Sequence, residues 1–298
     1  MSAAFETEAA EHPRITPGLV EAFAHDGVVR IPRAIDPSWL APLLSFTEEQ
    51  LARPSRWVTD SRRGAGNDRL FTDRYLWRDH LLIRRFAFES GVARLAGELM
   101  RASTVRFYFD HLLVKQPHTR EPTPWHQDVP YWPFLGRQIC SVWVALTAAT
   151  VEESSLEFVR GSHRWNKYFA PLPFGTKPGW TADFRGEQCP DIDAARDRYD
   201  VIGYDVEPGD AIVFSAWTLH GAPGNGGANR RVALSTRWLG DDVTWSPHPG
   251  SDPTVRQSDV RIAPGSYPAD DERFPIGWAA ASCTRRPHGT RVAGVDRP

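Results

Sequence analysis

The sequence has little cysteine, no long apolar run and no excess of charge of one sign. Its three cysteines among 298 residues are widely spaced and form no CxxC pair, so neither a disulfide framework nor a thiolate zinc site is encoded. The longest apolar runs, such as residues 211–217, are far shorter than the ~20 residues of a membrane helix. With 35 Lys and Arg against 37 Asp and Glu, the net charge is −2, which excludes a sequence-independent nucleic-acid binder. We therefore expect neither a nucleic-acid nor a membrane partner.

The first dozen residues are polar and acidic and lack the pattern of a secretory signal peptide. Together with the scarce, unpaired cysteines, this predicts a cytoplasmic protein. Residues 1–15 are expected to form a flexible tail. The sequence carries no signal for an oligomeric state.

Aromatic residues and turn formers are abundant instead: there are twelve tryptophans, 25 prolines and 23 glycines. Helical patterns come first, at residues 17–25, 37–51 and 90–100, while residues 53–69 are polar and predict a mobile loop. Extended, apolar segments follow, separated by turns rich in Pro and Gly, at residues 105–115, 139–146, 156–159, 211–214 and 231–239.

Because helices precede strands without regular alternation, we predict a mainly β protein, an antiparallel barrel or sandwich flanked by N-terminal helices. A single domain is expected over residues 1–298. Residues 171–200, rich in Pro, Gly and charge, are expected to form an insertion, and residues 245–298 an irregular C-terminal extension.

The densest group of chemically active side chains is the run Pro124-Trp125-His126-Gln127-Asp128. In an extended strand, His126 and Asp128 project to the same side, and His220 follows a second strand 94 residues later. Two imidazoles and one carboxylate are typical of non-haem Fe(II) enzymes that activate oxygen. A His-x-Asp tripeptide also arises by chance, so an ordinary hydrogen-bonded or surface pair stays open on spacing alone.

A third element is Arg231, which begins the strand after His220. A guanidinium that enters a sheet from a neighbouring strand can hold a carboxylate through two parallel hydrogen bonds, which Lys does not reproduce. A surface position or an ion pair is the alternative for a single arginine.

A series of segments in fixed order makes the sequence similar to a known family. The matching segments are DGVVRIP at 26–32, LVK at 113–115, WHQD at 125–128, YWPF at 131–134, WVAL at 143–146, FVRGSH at 158–163, PGD at 208–210, and His220-Gly221 followed by Arg231. The sequence resembles the phytanoyl-CoA dioxygenase family of Fe(II)- and 2-oxoglutarate-dependent oxygenases.

The resemblance implies a double-stranded β-helix, the cupin-like jelly roll. It further implies that Fe(II), 2-oxoglutarate and O2 take part, with ascorbate as a stimulant. The resemblance assigns His126, Asp128 and His220 as the catalytic iron ligands and Arg231 as the residue that binds the distal carboxylate of 2-oxoglutarate. It places Trp143 and His111 beside that cosubstrate. Gln127 lies between two of the ligands, and its side chain is expected to point away from the metal.

The sequence departs from the family pattern after the distal histidine and in one turn. Ala222 stands where a hydroxyl residue is common, so 2-oxoglutarate binding is expected to depend more on Arg231. Ser154-Ser155 replace the usual Asn-Gly before Leu156, which changes the expected shape of that turn.

The expected reaction is hydroxylation, or another oxidation of an unactivated C–H bond, of a small molecule in a specialised biosynthetic or catabolic pathway. Aromatic residues next to the metal motifs predict an apolar or cyclic substrate; they are Tyr131, Trp132, Phe134 and Trp217. A cupin-like metallohydrolase or a non-catalytic jelly-roll metal-binding protein is the alternative. The absence of G-x-S-x-G and of a full glycine fingerprint disfavours a serine hydrolase and a dinucleotide enzyme.

Overall fold

The described part of the chain contains four α-helices, which pack on one face of its sheet core. The computed structural model describes residues 15–62, 68–171 and 187–281, so most of the predicted tail, residues 1–14, lies outside it. The helices are α1 (Pro17–Asp26), α2 (Leu40–Ala52), α3 (Leu81–Glu89) and α4 (Val92–Met100). Three of them were expected, whereas α3 was not.

Helix α1 begins and ends where its sequence dictates. The Thr16 hydroxyl accepts a hydrogen bond from the Leu19 N–H at 3.3 Å, and Pro17 follows in the first turn, where it needs no N–H partner. Gly27 ends the helix with φ 78°, a left-handed conformation that glycine adopts readily. The predicted second helix starts as a 3-10 turn, Pro37–Trp39, before α2 continues it.

The main sheet is antiparallel, and its strand order is β1-β10-β7-β12-β4-β3-β2, with β14 also paired to β4. Its strands are β1 (Val28–Ile31), β2 (Thr59–Arg62), β3 (Arg69–Arg74), β4 (Thr104–Lys115), β7 (Ile139–Ala145), β10 (Ala211–Ser215), β12 (Arg231–Leu239) and β14 (Ile276–Ala279). Along one edge, β4 pairs with β12. Along its other edge, residues 111–115 of β4 pair with β3 and residues 104–106 pair with β14.

A second antiparallel sheet, of order β5-β11-β8-β9, faces the main sheet. It contains β5 (Thr123–His126), β8 (Glu157–Val159), β9 (Val201–Gly203) and β11 (His220–Ala222), while β6 (Phe134–Leu135) pairs with β13 (Thr244–Trp245). The two facing sheets, with strands that are distant in sequence paired side by side, are a jelly roll, as predicted.

Both faces of the main sheet are buried at β7 and β12, so neither of these strands has a solvent-exposed face. Along β7, Val142 and Val144 pack under the helices in the larger core, whereas Trp143 and Ala145 pack with Phe158 of the second sheet in the core between the sheets. The inner faces of the two sheets therefore enclose the space in which the candidate residues lie.

Three other segments differ from the sequence prediction or extend it. Residues 53–69 are not only a loop, because β2 and β3 form a hairpin there that continues the main sheet. The predicted insertion is described only at 171 and 187–200, where a 3-10 segment, Asp193–Arg198, is found; residues 172–186 lie outside the description. The C-terminal segment contributes β14, and its residues 282–298 are likewise not described.

Among the described residues, no helix combines the length and the apolar character that crossing a membrane requires.

Candidate metal centre and active site

Three side chains that the sequence analysis singled out meet at one end of the space between the sheets. His126 ends β5 and His220 begins β11, and these two residues are direct partners in the β5–β11 pairing. Asp128 lies beyond the end of β5, at the start of the 3-10 turn Val129–Tyr131, rather than two residues along the same strand. The alternation argument was therefore wrong in its detail, although the turn brings Asp128 to the same point.

The three side chains form a compact, buried group whose ligand atoms lie within 4.8 Å of one another. Oδ1 of Asp128 is 3.6 Å from Nε2 of His126 and 3.8 Å from Nε2 of His220. The Nδ1 atoms lie against the carbonyls of Pro124, at 2.7 Å, and Thr218, at 2.9 Å. These carbonyls orient both rings so that Nε2 is the atom turned towards Asp128.

The protonation states of the group suit a metal ion. Burial, together with the nearby His126, lowers the pKa of His220 to about 3, so this imidazole is neutral at neutral pH. Burial alone would raise the pKa of Asp128, but the charge of Arg237 and the neighbouring His126 and His220 rings hold it well below its usual value. A neutral imidazole and an ionised carboxylate are the forms that coordinate metals.

Arg231 is a buried cation with few partners. It is 3% exposed, and its contacts are long: Nη1 to the Leu113 carbonyl at 3.4 Å and Nη2 to the Ser154 hydroxyl at 3.5 Å. Its Nε has no hydrogen-bond partner within the described part of the chain. Burial lowers its pKa to about 10, so it remains charged at neutral pH. Because a guanidinium has five N–H donors, this one has capacity for a carboxylate.

Trp143 lies between Arg231 and the histidine–aspartate group. The Arg231 guanidinium is 5.8 Å from the centre of the Trp143 ring, and Trp143 Nε1 is buried without a partner in the described residues. Two residues earlier on the same face of β7, Ser141 donates to Asp128 at 2.9 Å. The inner face of β7 thus connects the carboxylate of Asp128 to the guanidinium of Arg231.

His111 and Gln127 have different surroundings. His111 pairs with Ser235 across β4 and β12, and its Nε2 is buried without a partner among the described side chains. The Gln127 amide donates to the Trp217 carbonyl at 2.9 Å and accepts from the Phe169 N–H at 3.2 Å. Its side chain therefore points away from Asp128 and fixes the adjacent loops.

The four aromatic residues predicted near the substrate belong to one apolar cluster but differ in their contacts. Tyr131 lies edge-on to His126 with ring centres 5.7 Å apart, and Trp132 packs against Phe109. Phe134 packs instead with Trp245 and Phe274.

Trp217 is fixed on the outer side of that cluster. Its indole N–H donates to the Gly136 carbonyl at 2.7 Å, and the Arg137 guanidinium lies 4.5 Å from its ring centre.

Further residues at the site were missed by sequence reasoning. Ser141 and Arg237 contact Asp128. Ser154 places a hydroxyl beside Arg231, whereas Ala222 has no hydroxyl to offer. Tyr75 is buried with φ 57°, an uncommon backbone conformation for a tyrosine, and it stacks on Phe109 at 4.9 Å. The two-residue period in β7 and β12 was the available signal for Ser141 and Arg237; Tyr75 had none.

The residues present fit both Fe(II) and 2-oxoglutarate. Two imidazole nitrogens and one carboxylate oxygen are the donor set of non-haem iron sites that leave positions open for other ligands. The partly unsatisfied, buried guanidinium of Arg231 requires an anion, and a carboxylate meets that requirement.

Comparisons with known proteins agree with this description. The family model for phytanoyl-CoA dioxygenase (PhyH) matches residues 23–233. A protein of Caenorhabditis elegans named probable phytanoyl-CoA dioxygenase is 30% identical over 125 residues, which are 40% of this chain and 37% of that protein. The chain thus matches little more than a third of the length of this relative.

Solved structures with the same fold have low sequence identity. The non-haem α-ketoglutarate-dependent carbocyclase SnoK from nogalamycin biosynthesis superposes with a TM-score of 0.67 at 23% identity, covering 88% of this chain and 96% of that one. EctD from S. alaskensis with 2-oxoglutarate and 5-hydroxyectoine gives 0.65 at 18% identity, covering 87% of each chain.

A jelly roll with a two-histidine, one-carboxylate group between its sheets defines the class of proteins with a candidate non-haem iron site. Within that class, the extent of the family match places the protein: the chain belongs to the phytanoyl-CoA dioxygenase family.

Proposed function

We propose that this protein hydroxylates, or otherwise oxidises at an unactivated C–H bond, a small apolar or cyclic molecule. In the hydroxylation, substrate, O2 and 2-oxoglutarate are converted to the alcohol, succinate and CO2. The observation that carries this proposal is Arg231, a buried cation at the same inner surface as the metal-binding group and without a carboxylate partner among the described residues. A metallohydrolase has no use for such a residue.

The proposed roles follow from where each side chain lies. His126, Asp128 and His220 would hold the iron, and Arg231 would bind the distal carboxylate of 2-oxoglutarate, with Trp143 alongside. When bound, iron and 2-oxoglutarate supply the oxidising chemistry. The protein orients both through the carbonyls that fix the histidine rings and through the fixed guanidinium. All four residues are buried, which would limit the access of bulk water to the reacting groups.

An aromatic surface beside the metal group supports an apolar or cyclic substrate. Phe109 contacts both Tyr75 and Trp132 there, and Tyr131 lies against His126. Flat rings of this kind bind cyclic molecules through a large contact area. The carbocyclase SnoK is named for nogalamycin biosynthesis, which supports a role in specialised biosynthesis, although its identity to this chain is 23%.

The test is a coupled measurement with labelled oxygen. The protein is incubated with Fe(II), ascorbate, 2-oxoglutarate, 18O2 and a panel of cyclic and apolar metabolites, and the products are analysed by mass spectrometry. We expect one labelled oxygen atom in succinate and one in a hydroxylated product. The matched control is Asp128→Ala, which should abolish both signals.

Other results would favour the alternatives. Hydrolysis of a panel compound without consumption of 2-oxoglutarate would favour a metallohydrolase. Metal binding without any 2-oxoglutarate turnover, with or without the panel, would favour a non-catalytic metal-binding protein. The cytoplasmic location stays a prediction, which fractionation of cells that produce the protein would test.

A further inference from the structure

A second buried arginine lies on the inner face of β12. Arg237 follows Arg231 by six residues, so both side chains face the second sheet, and Arg237 is 6% exposed. In the pairing of β12 with β7, its partner is Ser141. Arg231 lies near Trp143, whereas Arg237 lies at the metal-binding group itself.

The two oxygens of Asp128 have different neighbours. Oδ1 faces the Nε2 atoms of His126 and His220, at 3.6 and 3.8 Å. Oδ2 accepts a hydrogen bond from the Ser141 hydroxyl at 2.9 Å and lies 3.8 Å from Nε of Arg237. Only one oxygen is thus directed at the point where the histidines converge.

Packing fixes the Arg237 guanidinium in place. It lies 5.4 Å from the ring centre of Phe109 and 5.7 Å from that of Trp132, and Nη1 donates to the Ser235 hydroxyl. Contact with two aromatic faces restricts a cation to one position.

No other carboxylate competes for this guanidinium in the described part of the chain. Asp110 is near enough to act on Arg237 electrostatically, but its two oxygens accept hydrogen bonds from the Leu76 and Trp77 N–H groups at 3.1 and 2.9 Å. Among the described residues, Arg237 therefore forms its ion pair with Asp128.

We propose that Arg237 and Ser141 are positioning residues that hold Oδ2 of Asp128 and thereby leave Oδ1 as the oxygen that binds the metal. The inference rests on the metal-binding role of Asp128 in the proposed function. A carboxylate held in this way would offer a metal ion one oxygen and would leave room for the cosubstrate and O2. Neither residue contacts the metal ion in this arrangement; both act through Asp128.

The experiment measures metal binding and needs no substrate. Metal-free protein is titrated with Co(II), a substitute for Fe(II) that air does not oxidise, and its absorption and dissociation constant are recorded for Arg237→Gln, Arg237→Lys and Ser141→Ala. We expect Arg237→Gln to weaken Co(II) binding by a factor of about 10 to 100. Arg237→Lys keeps the charge and should recover part of this loss, and Ser141→Ala should lose less than Arg237→Gln.

The matched control is another buried arginine. Arg106 donates to Asp271 at 2.6 Å and to the Phe274 carbonyl at 2.8 Å. Its Nε is buried without a hydrogen-bond partner in the described chain. Arg106→Gln should lower thermal stability while leaving the Co(II) constant and spectrum unchanged. The double variant Ser141→Ala/Arg237→Gln tests whether the two residues act on the same oxygen, since their effects should then not be additive.

Two results would overturn the inference. One is Co(II) binding within twofold of the wild type in all folded Arg237 and Ser141 variants. The other is a fully additive loss of Co(II) affinity in the double variant, which would mean that the two residues do not act on the same oxygen. If Arg237→Gln fails to fold, Arg237→Lys and Ser141→Ala still decide. Because Co(II) binding is independent of turnover, weakened binding together with absent 2-oxoglutarate turnover would contradict the proposed function but retain this inference.

Discussion

Buried charge governs the individual residues at the centre of this protein. Arg231 and Arg237 are almost fully covered, and Lys115 is fully covered, with its ammonium group donating to the Pro223 carbonyl at 2.6 Å. Burial of such groups costs free energy unless a partner compensates for the lost hydration. For Arg237 the partner is Asp128, whereas Arg231 has only long contacts to neutral oxygens. We therefore expect the two arginines to respond differently to substitution.

Arg231→Lys should raise the 2-oxoglutarate concentration needed for half-maximal succinate formation by a factor of ~10 or more, equivalent to ~1.4 kcal/mol. The reason is that an ammonium group offers a point charge in place of the planar fork that binds a carboxylate through two hydrogen bonds. Initial rates at varied 2-oxoglutarate measure the effect. Co(II) affinity should stay unchanged, and an unchanged 2-oxoglutarate requirement would contradict the assignment of Arg231.

Asp110 should make the stability of the protein depend on pH. Burial raises the pKa of this carboxyl to about 7, above the value of 3.8 that it has when exposed. The folded state therefore keeps a proton that the unfolded state loses, so this stabilisation is complete below pH ~4 and disappears as pH rises through about 7.

Asp110→Asn should remove this pH dependence. Urea unfolding at several pH values between 4.5 and 8 should give a wild-type free energy of unfolding that falls relative to that of the variant as pH rises, by at most about 1.4 kcal/mol per pH unit. The Leu76 and Trp77 N–H groups donate to separate oxygens of Asp110, and asparagine keeps only one of these acceptors. The lost hydrogen bond lowers the free energy of unfolding of the variant by an amount that does not change with pH. Parallel curves would show that Asp110 is ionised in the folded state.

Sequence patterns predicted the existence of most elements but not their environment. The β-branched and aromatic residues of β4, β7 and β12 predict strands, and Thr16-Pro17 with Gly27 predicts the limits of α1. Burial of both faces of β7 and β12 follows from the helices on one side and the second sheet on the other, which no local pattern encodes. The β2–β3 hairpin was missed because its polar sequence forms a strand through pairing with β4.

At the scale of elements, α4 and β14 pack through a glycine. A side chain at Gly97 would overlap the ring of Trp278, so Gly97→Ala should destabilise the protein by about 1–3 kcal/mol despite the better helix propensity of alanine. Gly18→Ala in α1 is the matched control: its nearest neighbour would be the Thr16 hydroxyl at 3.9 Å, and it should be neutral or stabilising. Urea unfolding compares the two variants, and equal stabilities would contradict the packing argument.

On the scale of the whole molecule, the site assembles from strands that are distant in sequence. The family resemblance named His126, Asp128, His220 and Arg231 in advance, and the structure brings the first three within 4.8 Å. Residues that contact these four were not found, because Ser141 and Arg237 depend on cross-strand register and Ser154 on the shape of the turn before β8. The motif residues were thus predictable, and the supporting residues required the fold.

Binding of metal and 2-oxoglutarate should stabilise the whole fold, because the proposed metal ligands lie at the second sheet and Arg231 lies on the main sheet. A ligand at about 100 times its dissociation constant stabilises the native state by about 2.7 kcal/mol, which raises Tm by several degrees. Co(II) should raise Tm, 2-oxoglutarate should raise it further, and a chelator should reverse both shifts in a differential scanning experiment. In Arg231→Lys the metal shift should persist while the second shift is reduced; no shift in the wild type would contradict the proposed site.

The pairing partners of β4 become available at different times while the chain is synthesised. β3 precedes β4, whereas β14 is among the last described segments to leave the ribosome. Until it arrives, residues 104–106 carry backbone groups that are unpaired on that side, and such strand edges can join other chains. A nascent chain therefore contains every residue proposed to bind the metal and 2-oxoglutarate before its main sheet is complete. Its protection from self-association depends on β14, the last of the described strands.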